Sequence, residues 1–157
     1  MTCIIGIATN KGVWIGGDSL SSDGYSKNET RLNKIFTNGE LLIGYTSSFR
    51  MGQLLEFCEF PNIPGETSIY KYMVTQFIPS VRDIFKSAGY TKIENNTETG
   101  GVFLVGIRKK LFCICSDFQV QEHNDNFYAI GAGQDYALGA LQFMKTNGLI
   151  SIQKKAF

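Results

Sequence analysis

The chain opens on two short runs of apolar or small residues, Cys3-Ile-Ile-Gly-Ile-Ala8 and Val13-Trp-Ile-Gly-Gly-Asp18, with the turn formers Asn10-Lys11-Gly12 between them. Short runs bounded this way predict a β-hairpin. Lys34-Ile-Phe-Thr37 and Glu40-Leu-Leu-Ile-Gly-Tyr45 flank Asn38-Gly39 and predict a second. The period then changes. Met51, Leu54, Leu55 and Cys58 fall at helical spacing within 48–60, ahead of Pro61 and Pro64, which stop a helix. Thr67 or Ser68 is a candidate cap for a second helix reaching about Ala88, with Gly89 beyond its end. Its apolar stripe includes Tyr70, Met73, Val74, Phe77, Val81 and Phe85, and Pro79 within it predicts a kink or a break.

Strand patterns return at Gly101–Ile107, Leu111–Cys115 and Phe127–Ile130, and the polar stretch Glu94–Gly100 reads as an exposed loop. A third helix is predicted from about Gln134 to Lys145, closed by Asn147-Gly148, and Ser151 is a candidate cap for a short fourth. Strands, two helices, strands, then helices is the order of an α+β fold. The 157 residues show no break in composition and predict one domain over 1–157.

The candidate chemistry sits at the start. Removal of Met1, which a small second residue permits, leaves Thr2 with a free α-amine. Hydroxyl and amine then serve as nucleophile and base on one residue. An α-amine titrates at roughly 7.7–8.0, so a nearby lysine lowers its proton affinity toward neutral pH, and an aspartate steadies the lysine. Asp18 and Lys34 stand sixteen and thirty-two positions after Thr2.

The segments Thr2-Cys-Ile-Ile-Gly-Ile-Ala8, Ile15-Gly-Gly-Asp-Ser19, Asn33-Lys-Ile-Phe36 and Ile43-Gly-Tyr45 together resemble the catalytic β-type subunits of proteasomes. They are equally similar to HslV, the peptidase subunit of a two-part bacterial ATP-dependent protease, within the N-terminal nucleophile hydrolases. Asp18 and Lys34 keep the family's spacing from the nucleophile without a gap. Asp and Lys each fill roughly 6% of positions in average proteins, so chance places both on the order of 1 time in 300.

The resemblance implies a four-layer αββα sandwich and a threonine-type endopeptidase. It assigns catalysis to Thr2, Asp18 and Lys34, the oxyanion donor to the backbone N–H of Gly44, and peptide binding to Ser22, Ile43 and Thr46. The substrate implied is a peptide or an unfolded protein. A homo-oligomeric ring is implied as well, with room for an ATPase unfoldase as partner. Ala129-Ile-Gly-Ala-Gly-Gln134 resembles the turn that opens a family helix, with Ala132 where the family has serine. Thr46-Ser-Ser-Phe-Arg50 lacks the family's Asp, and relatives continue past the position of Phe157. Two other readings stay open: a catalytically silent ring subunit, and an amidase of the same superfamily acting on small amides.

The remaining composition removes alternatives. A net charge of +1 without basic blocks offers no field for nucleic acid. No apolar run approaches the roughly 18–20 residues of a membrane span, and no basic start precedes the first strand, so the expected compartment is the cytoplasm. Cys3, Cys58, Cys113 and Cys115 lack metal-ligand spacing and read as reduced core thiols; no metal or other cofactor is called for. His123 is the only histidine and lies in a polar turn, which leaves a serine–histidine triad without support.

Overall fold

The computed structural model describes residues 2–22, 27–29, 33–65, 68–95 and 97–150. The first hairpin forms as β1 (Ile4–Ala8) and β2 (Val13–Gly17), in the register Ile4↔Gly17 to Ala8↔Val13. β3 (Leu20–Ser22) and β4 (Lys27–Glu29) follow, then β5 (Ile35–Asn38) and β6 (Leu41–Tyr45). Gly39 holds the β5–β6 turn at φ 60°, a conformation glycine adopts without a side-chain penalty. The Asn38 amide donates to the carbonyls of Leu55 and Cys58, which ties this hairpin to the end of the first helix.

That helix, α1 (Phe49–Phe57), is capped by the Ser48 hydroxyl, which accepts from the Met51 N–H. The second predicted helix is one helical run in three parts: α2 (Ile69–Tyr72), a π-turn at Met73–Phe77, and α3 (Ile78–Ser87). Pro79 does not break it. Proline cannot donate back to the preceding turn, and the Ile78 N–H reaches five residues back to Met73. Ser68 precedes α2 without a side-chain cap bond, and Thr67 lies outside the described residues. Gly89, at φ 65°, closes α3.

The stretch read as a loop is instead a hairpin, β7 (Lys92–Glu94) and β8 (Thr97–Thr99). Arg82 and Lys86 of α3 both pair with Glu98 and pull its carboxyl below the usual range, giving a polar hairpin an anchor that periodicity does not reveal. β9 (Phe103–Ile107), β10 (Lys110–Ile114), β11 (Val120–Gln121), β12 (Phe127–Ile130) and α4 (Gln134–Thr146) complete the described elements. The helix expected from Ser151 lies outside the described residues.

Two antiparallel sheets carry the fold. One has the order β12-β1-β2, the other β11-β10-β9-β6-β5. Ile4, Ala8, Leu104, Leu111, Cys113 and Ile130 form the core between them. A larger core lies on the other face of the five-stranded sheet, where Met51, Tyr72, Phe77 and Phe85 of the helices meet Phe103 and Phe112. α4 packs on β12 and β1. The result is a mixed α/β fold in which the sheet-to-sheet seam brings the ends of β1, β2, β5 and β6 together.

Close packing is strict at Gly52 in α1, where an added Cβ would lie 2.1 Å from the Tyr45 ring. Gly52→Ala is therefore expected to destabilise the protein by about 1–3 kcal/mol, the usual cost of overpacking. Thermal denaturation checks this, with a fall of several degrees in the midpoint expected.

Candidate active site

The β1–β2 register sets the first two residues of the site. Thr2 and Cys3 lead into β1, and Asp18 follows β2 directly across from them. The Asp18 N–H donates to the Cys3 carbonyl at 3.3 Å, and the Cys3 N–H returns a bond to Asp18 Oδ1 at 2.7 Å. This reciprocal pair fixes the carboxylate against the backbone that carries Thr2. Lys34 arrives from the second hairpin, where its carbonyl accepts the Tyr45 N–H at 3.0 Å.

Lys34 Nζ lies 2.8 Å from Asp18 Oδ2 and 3.1 Å from Thr2 Oγ1. Only 7% of Lys34 is exposed, the low value of a cation that needs a carboxylate to remain buried. One carboxylate oxygen thus holds the backbone after Thr2, and the other holds the cation beside the Thr2 hydroxyl. The sequence-predicted trio is assembled with hydrogen-bond geometry.

A third segment grips Thr2 from the side of α4. The Gly133 N–H, at the N-cap position of α4, donates to the Thr2 carbonyl at 3.2 Å. Gly131 has φ 95°, and a Cβ there would fall 2.3 Å from the Thr2 carbonyl oxygen. Only glycine fits so close an approach at that φ. The positive end of α4 is therefore aimed at the backbone of Thr2. Ala132 in the same turn is exposed and brings no hydroxyl.

The other predicted residues fall into three groups. Thr46 is half-buried with its hydroxyl toward the Gly131 turn, 3.4 Å from where a Cβ on that glycine would lie. Ile43 is fully buried in the core beneath the helices and is not brought to an open surface. Gly44 is buried within β6, packed by Ile4 and Ile15. The N–H groups of Tyr45 and Thr46 go to Lys34 on one side and Val102 on the other. Alternation then turns the Gly44 N–H toward β9, opposite Leu104, where the ladder uses it. Ser22 ends β3, and its side chain lies outside the described residues.

Sequence reasoning missed the turn after β6. Ser47 is exposed and holds φ 82°, while the Ser48 N–H donates back to the Thr46 carbonyl at 3.2 Å. The signal was present as small residues ahead of an N-cap serine. Cys3 has its thiol pushed up by burial and by Asp18, an unreactive setting. Burial pushes Cys113 up to about 12 and Cys58 up to about 11.

His123 stacks on Tyr128 with ring centroids 3.7 Å apart, before β12 and thus at the opposite end of β1 from Thr2. Burial holds its pKa below the ordinary value, opposed by the Asp125 carboxylate. The stability this gives is present above pH about 6.5 and is lost as pH falls below that toward the folded-state value. His123→Phe should therefore flatten the loss of stability on moderate acidification in pH-dependent denaturant melts. An unchanged slope would remove His123 from that account.

No protein-family model matches the chain, and no curated protein sequence does. Solved structures do. Thiobacillus denitrificans BPH in complex with epoxomicin superposes with TM-score 0.74 at 20% identity, covering 96% of this chain and 83% of that one. HslV from Trypanosoma brucei gives 0.58 at 16% identity, covering 98% and 82%. The chain has a proteasome-like fold. The Anbu (Gly-1) mutant from a Hyphomicrobium strain gives 0.62 at 13% identity, covering 99% of this chain and 69% of that one. In this proteasome-like fold the Thr2, Asp18 and Lys34 cluster lies where β1, β2 and β5 begin or end, at one rim of the seam between the sheets. No helix among the described residues is long and apolar enough to cross a membrane.

Proposed function

We propose that the chain is a threonine-type endopeptidase whose nucleophile is Thr2 after removal of Met1. The observation that carries this reading is the Lys34 ammonium held between Asp18 Oδ2 at 2.8 Å and Thr2 Oγ1 at 3.1 Å. A buried cation against a hydroxyl stabilises the oxygen as it loses its proton. Thr2 Oγ1 attacks a peptide carbonyl, and its proton passes to the Thr2 amine, directly or through a water. The new ester joins Thr2 to the acyl part of the substrate, and the amine leaves with a proton. Water then attacks the ester and restores the hydroxyl. Asp18 orients Lys34 and, through the Cys3 N–H, the backbone that follows the nucleophile.

The oxyanion donor must be an amide with no ladder partner, which argues against Gly44. We place it in the turn from Thr46 to Phe49, where Ser47 is exposed at φ 82° and α1 starts with the free amides of any helix N-terminus. Thr46 lines the substrate side of that turn, and Ser22 on β3 is a candidate partner for the peptide backbone.

The assembly we propose with this function is a four-layer αββα subunit in a homo-oligomeric ring in the cytoplasm, acting on unfolded polypeptide delivered by an ATPase. A silent ring subunit is the second reading, favoured by the absence of a hydroxyl at Ala132. Peptide hydrolysis by the Met1-free chain, compared with Thr2→Ala, separates them. The first reading expects turnover lost in Thr2→Ala; the second expects none in either.

A further inference from the structure

α3 ends in a Schellman motif. With Gly89 at φ 65°, the Gly89 N–H donates to the Lys86 carbonyl at 3.0 Å and the Tyr90 N–H to the Phe85 carbonyl at 2.8 Å. The motif folds its outer residue back over the helix. The Tyr90 ring therefore meets Phe85 edge-on, with centroids 4.9 Å apart and an interplanar angle of 73°. Backbone and ring together fix where the phenol points. Its hydroxyl passes Gly101, where an added Cβ would lie 3.2 Å from Tyr90 Oη. Beyond that glycine, a side-chain hydrogen bond joins it to the Ser48 hydroxyl. Burial holds the Tyr90 pKa above the ordinary tyrosine value, opposed by the Ser48 bond, so the phenol keeps its proton at neutral pH.

Ser48 links this contact to the candidate site. Its hydroxyl already accepts the Met51 N–H as the cap of α1, and a hydroxyl has capacity for a second bond. The residue before it, Ser47, holds φ 82°, which a residue with a side chain keeps only where its surroundings impose it. On the strand side, the Thr46 N–H donates to the Val102 carbonyl at 3.2 Å. The Ser48 N–H turns back to the Thr46 carbonyl, also at 3.2 Å. On the helix side, Ser48 is tied to Tyr90 and to α1. The amides of Ser47 and Phe49 take no backbone acceptor among the described residues.

We propose that Tyr90 is a positioning residue, which acts through Ser48 to hold the Thr46–Phe49 turn with its open amides aimed at the oxyanion. The proposal rests on the peptidase reading and on the placing of the oxyanion donor in this turn. Tyr90 belongs to the connection between α3 and β7, outside the two hairpins that bring Asp18 and Lys34 to Thr2. Without its hydroxyl the turn keeps every amide, but Ser47 is freer to leave its positive φ, and the donors lose their aim. Removal of a whole oxyanion donor costs about 10²–10³ in kcat, and loosening one is expected to cost about tenfold. Such donors act on the transition state, so KM should stay within about twofold.

Tyr90→Phe removes the hydroxyl and keeps the packing on Phe85, so its thermal midpoint is expected near that of the parent. Its kcat on a peptide substrate is expected to fall about tenfold with KM within about twofold, a split that general loosening of the fold does not give. Ser48→Ala should lower kcat at least as far. Tyr90→Phe added to it should change kcat by less than about twofold, since both variants break one bond. Hydrogen exchange at the Ser48 amide reads the turn without turnover, and Tyr90→Phe is expected to speed it about tenfold. Parent-like kcat in Tyr90→Phe beside an active parent would overturn the proposal and leave the peptidase reading standing. Independent, multiplying losses in the double variant would overturn it too. If the parent itself is inactive, the peptidase reading fails, and unchanged Ser48 exchange in Tyr90→Phe would then overturn the tether as well.

Discussion

Replacing Lys34 with methionine is expected to lower peptide hydrolysis by at least about a thousandfold while leaving the fold in place. Methionine keeps most of the buried volume and removes the ammonium that lies 3.1 Å from Thr2 Oγ1. The hydroxyl then loses the charge that stabilises it as it attacks, a loss of several kcal/mol in activated nucleophiles and oxyanion sites. Stability should suffer less than in a fully buried pair. Asp18 retains the Cys3 N–H and has a side chain about one-third exposed, so water can take over part of the lost interaction. Paired measurements of turnover and thermal midpoint check both halves. Activity within tenfold of the parent would mean that Lys34 serves the fold and not the chemistry.

Gly131→Ala is expected to cost about a hundredfold in the same assay. Its Cβ would lie 2.3 Å from the Thr2 carbonyl oxygen and 2.9 Å from the carbonyl carbon. The clash is with backbone on both sides, so no rotamer relieves it, and φ 95° adds strain for any residue with a side chain. Thr2 must shift, and a displacement near 1 Å in a reacting group can cost about 10² in rate. Gly139→Ala in α4 provides the control, since a Cβ there meets no neighbour within 4 Å. Near-parent activity in Gly131→Ala would show that the turn does not position the nucleophile.

The two hairpins and the Thr2, Asp18 and Lys34 spacing were legible because strand pairing is local there. Once Ile4 faces Gly17, Cys3 must face Asp18, and a four-residue connection leaves little freedom. Lys34 was legible only by spacing, since its approach depends on the sheets closing over Ile4 and Ile15. Gly44 was assigned its role by resemblance alone, and no local pattern announces that its missing side chain admits Ile4 and Ile15 from the facing sheet. Ile43 shares its strand, and the two-residue period of β6 turns it into the helix-side core. The grip of Gly131 and Gly133 on Thr2 joins residues far apart in the chain, and no local pattern announces it. The β7–β8 hairpin was hidden because charge pairing with α3 holds it in place.

The central claim is that Thr2, freed of Met1, is a nucleophile activated by Lys34. Intact-protein mass spectrometry before and after a peptide epoxyketone tests it most directly, because that probe closes its ring on a hydroxyl and an adjacent free amine together. The account predicts a chain lacking Met1 that gains one adduct, mapped to Thr2 and absent in Lys34→Met. A free Thr2 that takes no adduct at saturating probe would contradict it.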